Sequence, residues 1–188
     1  MLDYDGRRSE DVHVVKAHNP RSVRGIDFDK VVTGYRDLRC VLSSARRMGW
    51  ADLKGERHIG AFLNSYIENL KIWEDMSVHT SRYETMTVDR FAEVRRVAKA
   101  LALTLRAKQL RSVCACVDAL RPPAALPTGN PADVDLETQL HPGHLAEKES
   151  RLDSKSRRYV EKRYAAWLLE RGYEIRPTRQ ASANHRWS

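Results

Sequence analysis

The stretch Thr87 to Leu120, TVDRFAEVRRVAKALALTLRAKQLRSVCACVDAL, decides how this chain folds. It is free of Gly and Pro and carries an apolar pattern of helical period. At about 100° per residue, Phe91, Val94, Val97, Ala98, Leu101 and Leu105 gather on one side, with Arg95, Arg96, Lys99 and Arg106 beside them. In the second half Leu103, Leu110, Val113, Val117 and Leu120 form a stripe over the arc that was basic in the first. The stretch therefore reads as a central helix whose apolar face changes side near Thr104 to Gln109. Two arrangements reconcile the faces: the second half packs on something other than the core closed by the first, or the helix breaks there.

Upstream, Phe28, Val31, Tyr35, Leu38, Leu42 and Ala45 recur at steps of three and four and predict a helix from Asp27 to Met48, with Asp27 as N-cap, Arg46 and Arg47 in the last turn and Gly49 past its end. Gly34 inside it is either tolerated or admits a close neighbouring helix. Ile59, Phe62, Leu63, Tyr66, Ile67, Leu70 and Trp73 predict a second amphipathic helix from His58 to Met76. SVHTSRYETM then reads as a polar connector, with Thr87 and Asp89 starting the central helix. Before all of these, residues 1–25 form a polar arm in which Val12 to Val15 is a candidate short strand.

Downstream, RPPAALPTGNPADVDLETQLHPGH holds five of the seven prolines and several acids, so residues 122–144 read as a Pro-rich acidic loop or linker. Residues 145–172 hold a basic helix, starting near Leu145 or Ser154, that buries Tyr159, Val160, Tyr164, Trp167 and Leu168 and is capped by Gly172. Residues 173–188 are a basic tail expected to be mobile when nothing is bound. The expected class is mainly α: an irregular bundle of about four helices around the central one, with residues 26–121 as a three-helix core and at most one or two short strands at the termini.

Composition narrows the function. Leu, Ile, Val and Phe make up 41 of 188 residues, little above the ~20% below which charged chains stay disordered, so the core must be local. No apolar run approaches the ~18 residues that span a bilayer, and the acidic amino terminus is no secretory signal; the protein reads as intracellular and cytoplasmic, or nuclear in a eukaryote. Three cysteines make no disulfide framework. The net charge of +8 is uneven: +5 over residues 87–121 and +6 over 151–188, against −4 over 122–150. Of the 33 basic residues 24 are Arg, whose planar fork suits phosphate, although GC-rich coding also favours Arg.

Catalytic and metal chemistry is poorly signalled. Cys114 and Cys116, two apart on a helix, point about 200° away from each other, and His141 and His144 lack further ligands at zinc spacing; small packed thiols and loop polarity explain them. There is no G-x-S-x-G, P-loop or dinucleotide-binding glycine pattern. Asp27 and Asp29 read as capping residues, and His58, His79, Cys40 and Asp75 are the polar groups an enzyme would have to use. No cofactor is expected. The preferred reading is a non-enzymatic protein that contacts DNA or RNA phosphate, or sits in a nucleoprotein assembly, through Arg95, Arg96, Lys99, Arg106, Lys155, Arg157, Arg158, Lys162, Arg163, Arg176 and Arg179. The rival is a scaffold that binds a protein partner or its own copy through the second apolar face. An enzyme of unrecognised class ranks third.

Overall fold

A computed structural model describes residues 3–4, 15–47, 53–119 and 152–175. It is mainly helical, and no helix among these residues is long and apolar enough to cross a membrane. The described elements are β1 (Asp3–Tyr4), β2 (Val15–Lys16), β3 (Val32–Tyr35), α1 (Leu38–Arg47), α2 (Glu56–Met76), β4 (His79–Arg82), α3 (Tyr83–Val88), α4 (Arg90–Ala100), α5 (Ala107–Ala119), α6 (Ser154–Arg163) and α7 (Ala165–Glu170). A short 3-10 turn covers Pro20–Val23, with the Asn19 side chain accepting from the Arg21 N–H. The chain divides into two compact units, one of Met1–Arg36 and Ala61–Glu149, the other of Asp37–Gly60 and Ser150–Ser188.

In the first unit, β1 pairs antiparallel with β2, and β3 pairs parallel with β4 in the register Val32 to His79, Thr33 to Thr80, Gly34 to Ser81 and Tyr35 to Arg82. The internal parallel pair overturns two expectations. The predicted helix from Asp27 does not exist before Leu38, because the β-branched run Val31-Val32-Thr33 leads into a strand whose partner comes from the supposed polar connector. Asp27 and Asp29 are exposed and cap nothing. Gly34 admits no helix: a Cβ there would lie 3.4 Å from the Ser81 carbonyl oxygen, an ordinary contact, so glycine is tolerated.

The stretch from 87 to 120 is helical in separate pieces. Asp89, not Thr87, starts α4, since its carboxylate accepts from the Ala92 N–H at 3.0 Å while the Thr87 hydroxyl donates back to the Glu84 carbonyl within α3. At the other end the Leu103 N–H reaches the Ala98 carbonyl at 2.8 Å and the Ala102 N–H reaches Lys99 at 3.0 Å. This doubly bonded stop forces Ala102 to φ 59°, a left-handed conformation that glycine adopts more readily. After the turn, Gln109 Oε1 accepts from the Arg106 N–H at 2.8 Å and helps start α5. Arg90 at the start of α4 pairs with Asp118 near the end of α5, so the two helices run antiparallel. The change of apolar face thus marks a turn at 101–106: α5 folds back on α4 and buries Leu110.

Replacing Ala102 with glycine relieves the strained φ at some cost in unfolded-chain entropy. The net expectation is a gain of about 0.5–1 kcal/mol in urea unfolding; a loss of stability would show that Ala102 is held by packing, not merely tolerated.

In the second unit the helical stripes were legible. Leu38, Leu42 and Ala45 of α1 and Val160, Tyr164 and Leu168 of the carboxyl-terminal helices are buried, together with Leu53, Ile59 and Tyr173. The cap of α1 is Asp37, whose carbonyl accepts from the Cys40 and Val41 N–H groups at 2.9 Å and whose Oδ1 accepts from the Arg39 N–H at 2.8 Å. Asp153 caps α6, accepting from the Ser156 N–H at 2.8 Å. The expected terminal helix breaks once, at Tyr164, and stops at Gly172 (φ 72°), where the Tyr173 N–H bonds the Leu168 carbonyl at 2.8 Å. Gly49, the loop 122–144 and the chain past residue 175 lie outside the described residues.

Candidate nucleic-acid interface

The basic residues singled out by sequence sort into those engaged by the fold and those left to solvent. Arg157 Nε donates to Glu161 Oε1 at 3.1 Å, and that same oxygen accepts from Arg39 Nη1 at 2.7 Å. Arg39 is buried between two acids: its Nε and Nη2 grip Asp37 at 2.6–3.0 Å, and Nη1 also donates to the Glu174 carbonyl at 2.9 Å. Burial alone would lower the Arg39 pKa, but hydrogen bonds to Asp37 and Glu161 and their charges more than reverse this, so the guanidinium is locked in its charged form. Arg157 therefore sits at the rim of a buried ion network, its own side chain 40% exposed. Arg163 is exposed but is engaged by a neighbour, lying over the Tyr164 ring 5.9 Å from its centre.

Lys155, Arg158 and Lys162 differ from these. All three are exposed and make no ion pair among the described residues. They sit at i, i+3 and i+7 of α6, within an arc of about 60° and along roughly 10 Å of helix. The opposite side carries the buried Ser156, Val160 and Tyr164. Below the first turn, Arg46 binds Asp153 at 2.9 Å, the Ser156 hydroxyl at 2.9 Å and the Leu53 carbonyl at 3.0 Å. Backbone and side-chain hydrogen bonds from Ser156, then that from Arg46, hold the Asp153 carboxyl well below the usual carboxylate range. The stripe is thus carried on a helix fixed along its far side and at its amino end.

In the first unit, Arg95, Lys99 and Arg106 are exposed, and Arg95 and Lys99 are one turn apart on α4. Arg96 is exposed as well, but it pairs with the buried Glu93. Lys108 and Arg111, exposed one turn apart on α5, extend the basic set, although a continuous helix would place them away from the first block. Their signal was the same change of face that marks the turn. Arg176 and Arg179 lie outside the described residues.

Glu93 is the polar residue that sequence reasoning missed. Only 3% exposed, it accepts from His79 Nε2 at 2.8 Å and from the Ser81 hydroxyl at 2.7 Å. Burial alone would raise its pKa, but the hydrogen bonds from His79 and Ser81 and the charges of Arg96 and His79 outweigh it and keep the carboxyl below its ordinary value. The cluster ties β4 to α4 beside a groove of about 450 Å³ lined mostly by Val32, Thr33, Gly34, Met86, Val94, Val97 and Val113. His79 and Ser81 both bond the same acid oxygen, so the acid does not orient the histidine toward the serine as a nucleophile's base would need.

Among the other polar candidates, His58 is exposed with Nδ1 against the Lys54 carbonyl at 2.8 Å, Asp75 is exposed and Cys40 is buried. Cys114 is half-buried but Cys116 is exposed, which corrects the expectation that both are packed. Among the described residues no group of three or more His, Cys, Asp or Glu is placed to hold a metal ion. Neither a protein-family model, nor a curated protein, nor a solved structure matches the chain.

Proposed function

We propose that the protein binds nucleic acid through its phosphates, by itself or as a subunit of a nucleoprotein assembly inside the cell. The observation that supports this reading is the exposed row Lys155, Arg158 and Lys162, which has no acid to neutralise it among the described residues. A solvated helix face usually mixes signs, whereas here the local acid, Glu161, is turned inward to Arg39. Arg95, Lys99, Arg106, Lys108 and Arg111 supply further cations in the other unit. Phosphate contact of this kind is sequence-tolerant and depends steeply on salt.

Charge reversal tests it. The double substitution Arg158→Glu and Lys162→Glu is expected to weaken binding to DNA or RNA by about tenfold or more at low salt and to flatten the salt dependence by roughly two units of slope. Undetectable binding by the unaltered protein at low salt, or binding indifferent to salt, would end the proposal. Point substitutions serve better than deletion of the chain after residue 142, because the deletion would leave Arg39 without Glu161.

A second reading, association with a protein partner or a second copy, is favoured by Leu103 (50% exposed) and Val113 (41% exposed), two residues of the second apolar stripe that the α4–α5 turn leaves uncovered. If that surface mediates self-association, sedimentation will show an oligomer that Val113→Asp converts to monomer. A monomer at high concentration would rule this route out.

A further inference from the structure

We infer that the ligand of α6 is a double-stranded nucleic acid, gripped from the side of the helix by its phosphates. This rests on the phosphate-binding reading of Lys155, Arg158 and Lys162 and goes beyond it by choosing between duplex and single strand.

Proteins that hold single strands combine cations with flat side chains on which bases stack. Among the described residues of this unit the aromatic side chains are already engaged. Tyr159 lies against Gly60, where an added Cβ would come within 2.7 Å of its hydroxyl. The Tyr164 hydroxyl donates to the Gly60 carbonyl at 3.1 Å, and its ring is buried. Trp167 stacks on Tyr173 with centroids 6.1 Å apart and planes at 10°, and Arg171 sits 5.4 Å from the Trp167 centroid. Tyr173 is itself buried. Among the described residues of this unit no aromatic ring is fully exposed beside the stripe, which there offers charge without an open stacking platform.

The second argument is rigidity. The three cations stand on a helix whose other side is fixed by Val160, Ser156 and Tyr164 and whose first turn is tied to Arg46. A row of charges at set spacing gains most from a ligand whose phosphates are also at set spacing. A duplex meets that condition, while a flexible strand must be ordered first. End-on docking is disfavoured, because the carboxylate of Asp153 occupies the amino end of α6 and bonds the Ser156 N–H there. The long side of the helix is the surface left for a phosphate row.

The test uses the full chain with three probes of equal length: a DNA duplex, an RNA duplex and the single DNA strand, each titrated by fluorescence anisotropy across a salt series. Either duplex is expected to bind severalfold more tightly than the single strand. The triple variant Lys155→Gln, Arg158→Gln, Lys162→Gln, checked by circular dichroism for unchanged helicity, is expected to lose about 2.7 units of the slope of log K against log salt on the preferred duplex. Single-strand binding as tight as duplex binding overturns the inference and leaves the broader phosphate-binding reading standing, whereas a slope unaltered in the triple variant overturns the inference and removes this row from that reading as well. Failure of all three probes at low salt overturns both.

Discussion

Arg39→Met is expected to lower the free energy of unfolding by about 3–5 kcal/mol, the largest effect of any single substitution considered. The methionine matches much of the stem's bulk but leaves Asp37 and Glu161, whose side chains are each only 11% exposed, without the guanidinium between them. The cost comes from stranding charge, not from losing attraction alone. Two further variants separate these contributions. Arg39→Lys should recover only part of the loss, since one ammonium cannot bond Asp37, Glu161 and the Glu174 carbonyl in the fork geometry of Arg39. Adding Glu161→Gln to Arg39→Met should cost less than the sum of the two single changes, because Glu161→Gln removes a charge that Arg39→Met leaves with only the half-exposed Arg157 as its partner. Urea titrations of all four proteins would check this, and a loss below about 1 kcal/mol for Arg39→Met would mean that solvent reaches the acids freely.

Glu93→Ala should cost about 3 kcal/mol by the same measurement, because the hydroxyl of Ser81, 4% exposed, and the His79 Nε2–H lose their common acceptor. Adding Ser81→Ala to that variant should cost little more, since the hydroxyl no longer has a partner to lose. The carboxylate also makes the protein acid-sensitive. Its pKa is lower folded than unfolded, so its contribution is fully present above the ordinary carboxylate value of 4.5 and is lost as pH falls through the lowered folded value. The unaltered protein should therefore lose more stability than Glu93→Ala on acidification through that window. Parallel pH profiles would refute the assignment.

Local pattern carried much of the fold. The stripe from Ile59 to Trp73 is an uninterrupted helix, and Gly172 stops the terminal helices as its position suggested. The pattern failed where the deciding partner was distant in sequence. Phe28, Val31, Tyr35 and Leu38 keep helical spacing by coincidence, while Val32 finds its strand partner in His79, beyond two intervening helices. A four-residue parallel strand has too few positions to declare its own period. The turn at Ala102 was visible only as a conflict between two stripes, since alanine does not announce a left-handed residue. The exposed part of the candidate site was legible as charge. The division of its arginines into those engaged by the fold and those left to solvent was not, because it depends on Glu161 facing Arg39, which is 122 residues away.

That separation matters while the chain is being made. The unit holding α1 combines Asp37–Gly60 with Ser150–Ser188, so α1 leaves the ribosome long before the helix bearing the acid that completes its ion network. At about 5–20 residues per second, Glu161 follows Arg39 by roughly 6–25 s. During that interval Leu38, Leu42 and the charged network have only part of their final surroundings, and chaperones or premature aggregation compete for them. A pause in translation anywhere in the intervening chain would lengthen that exposure without changing a single residue of the product.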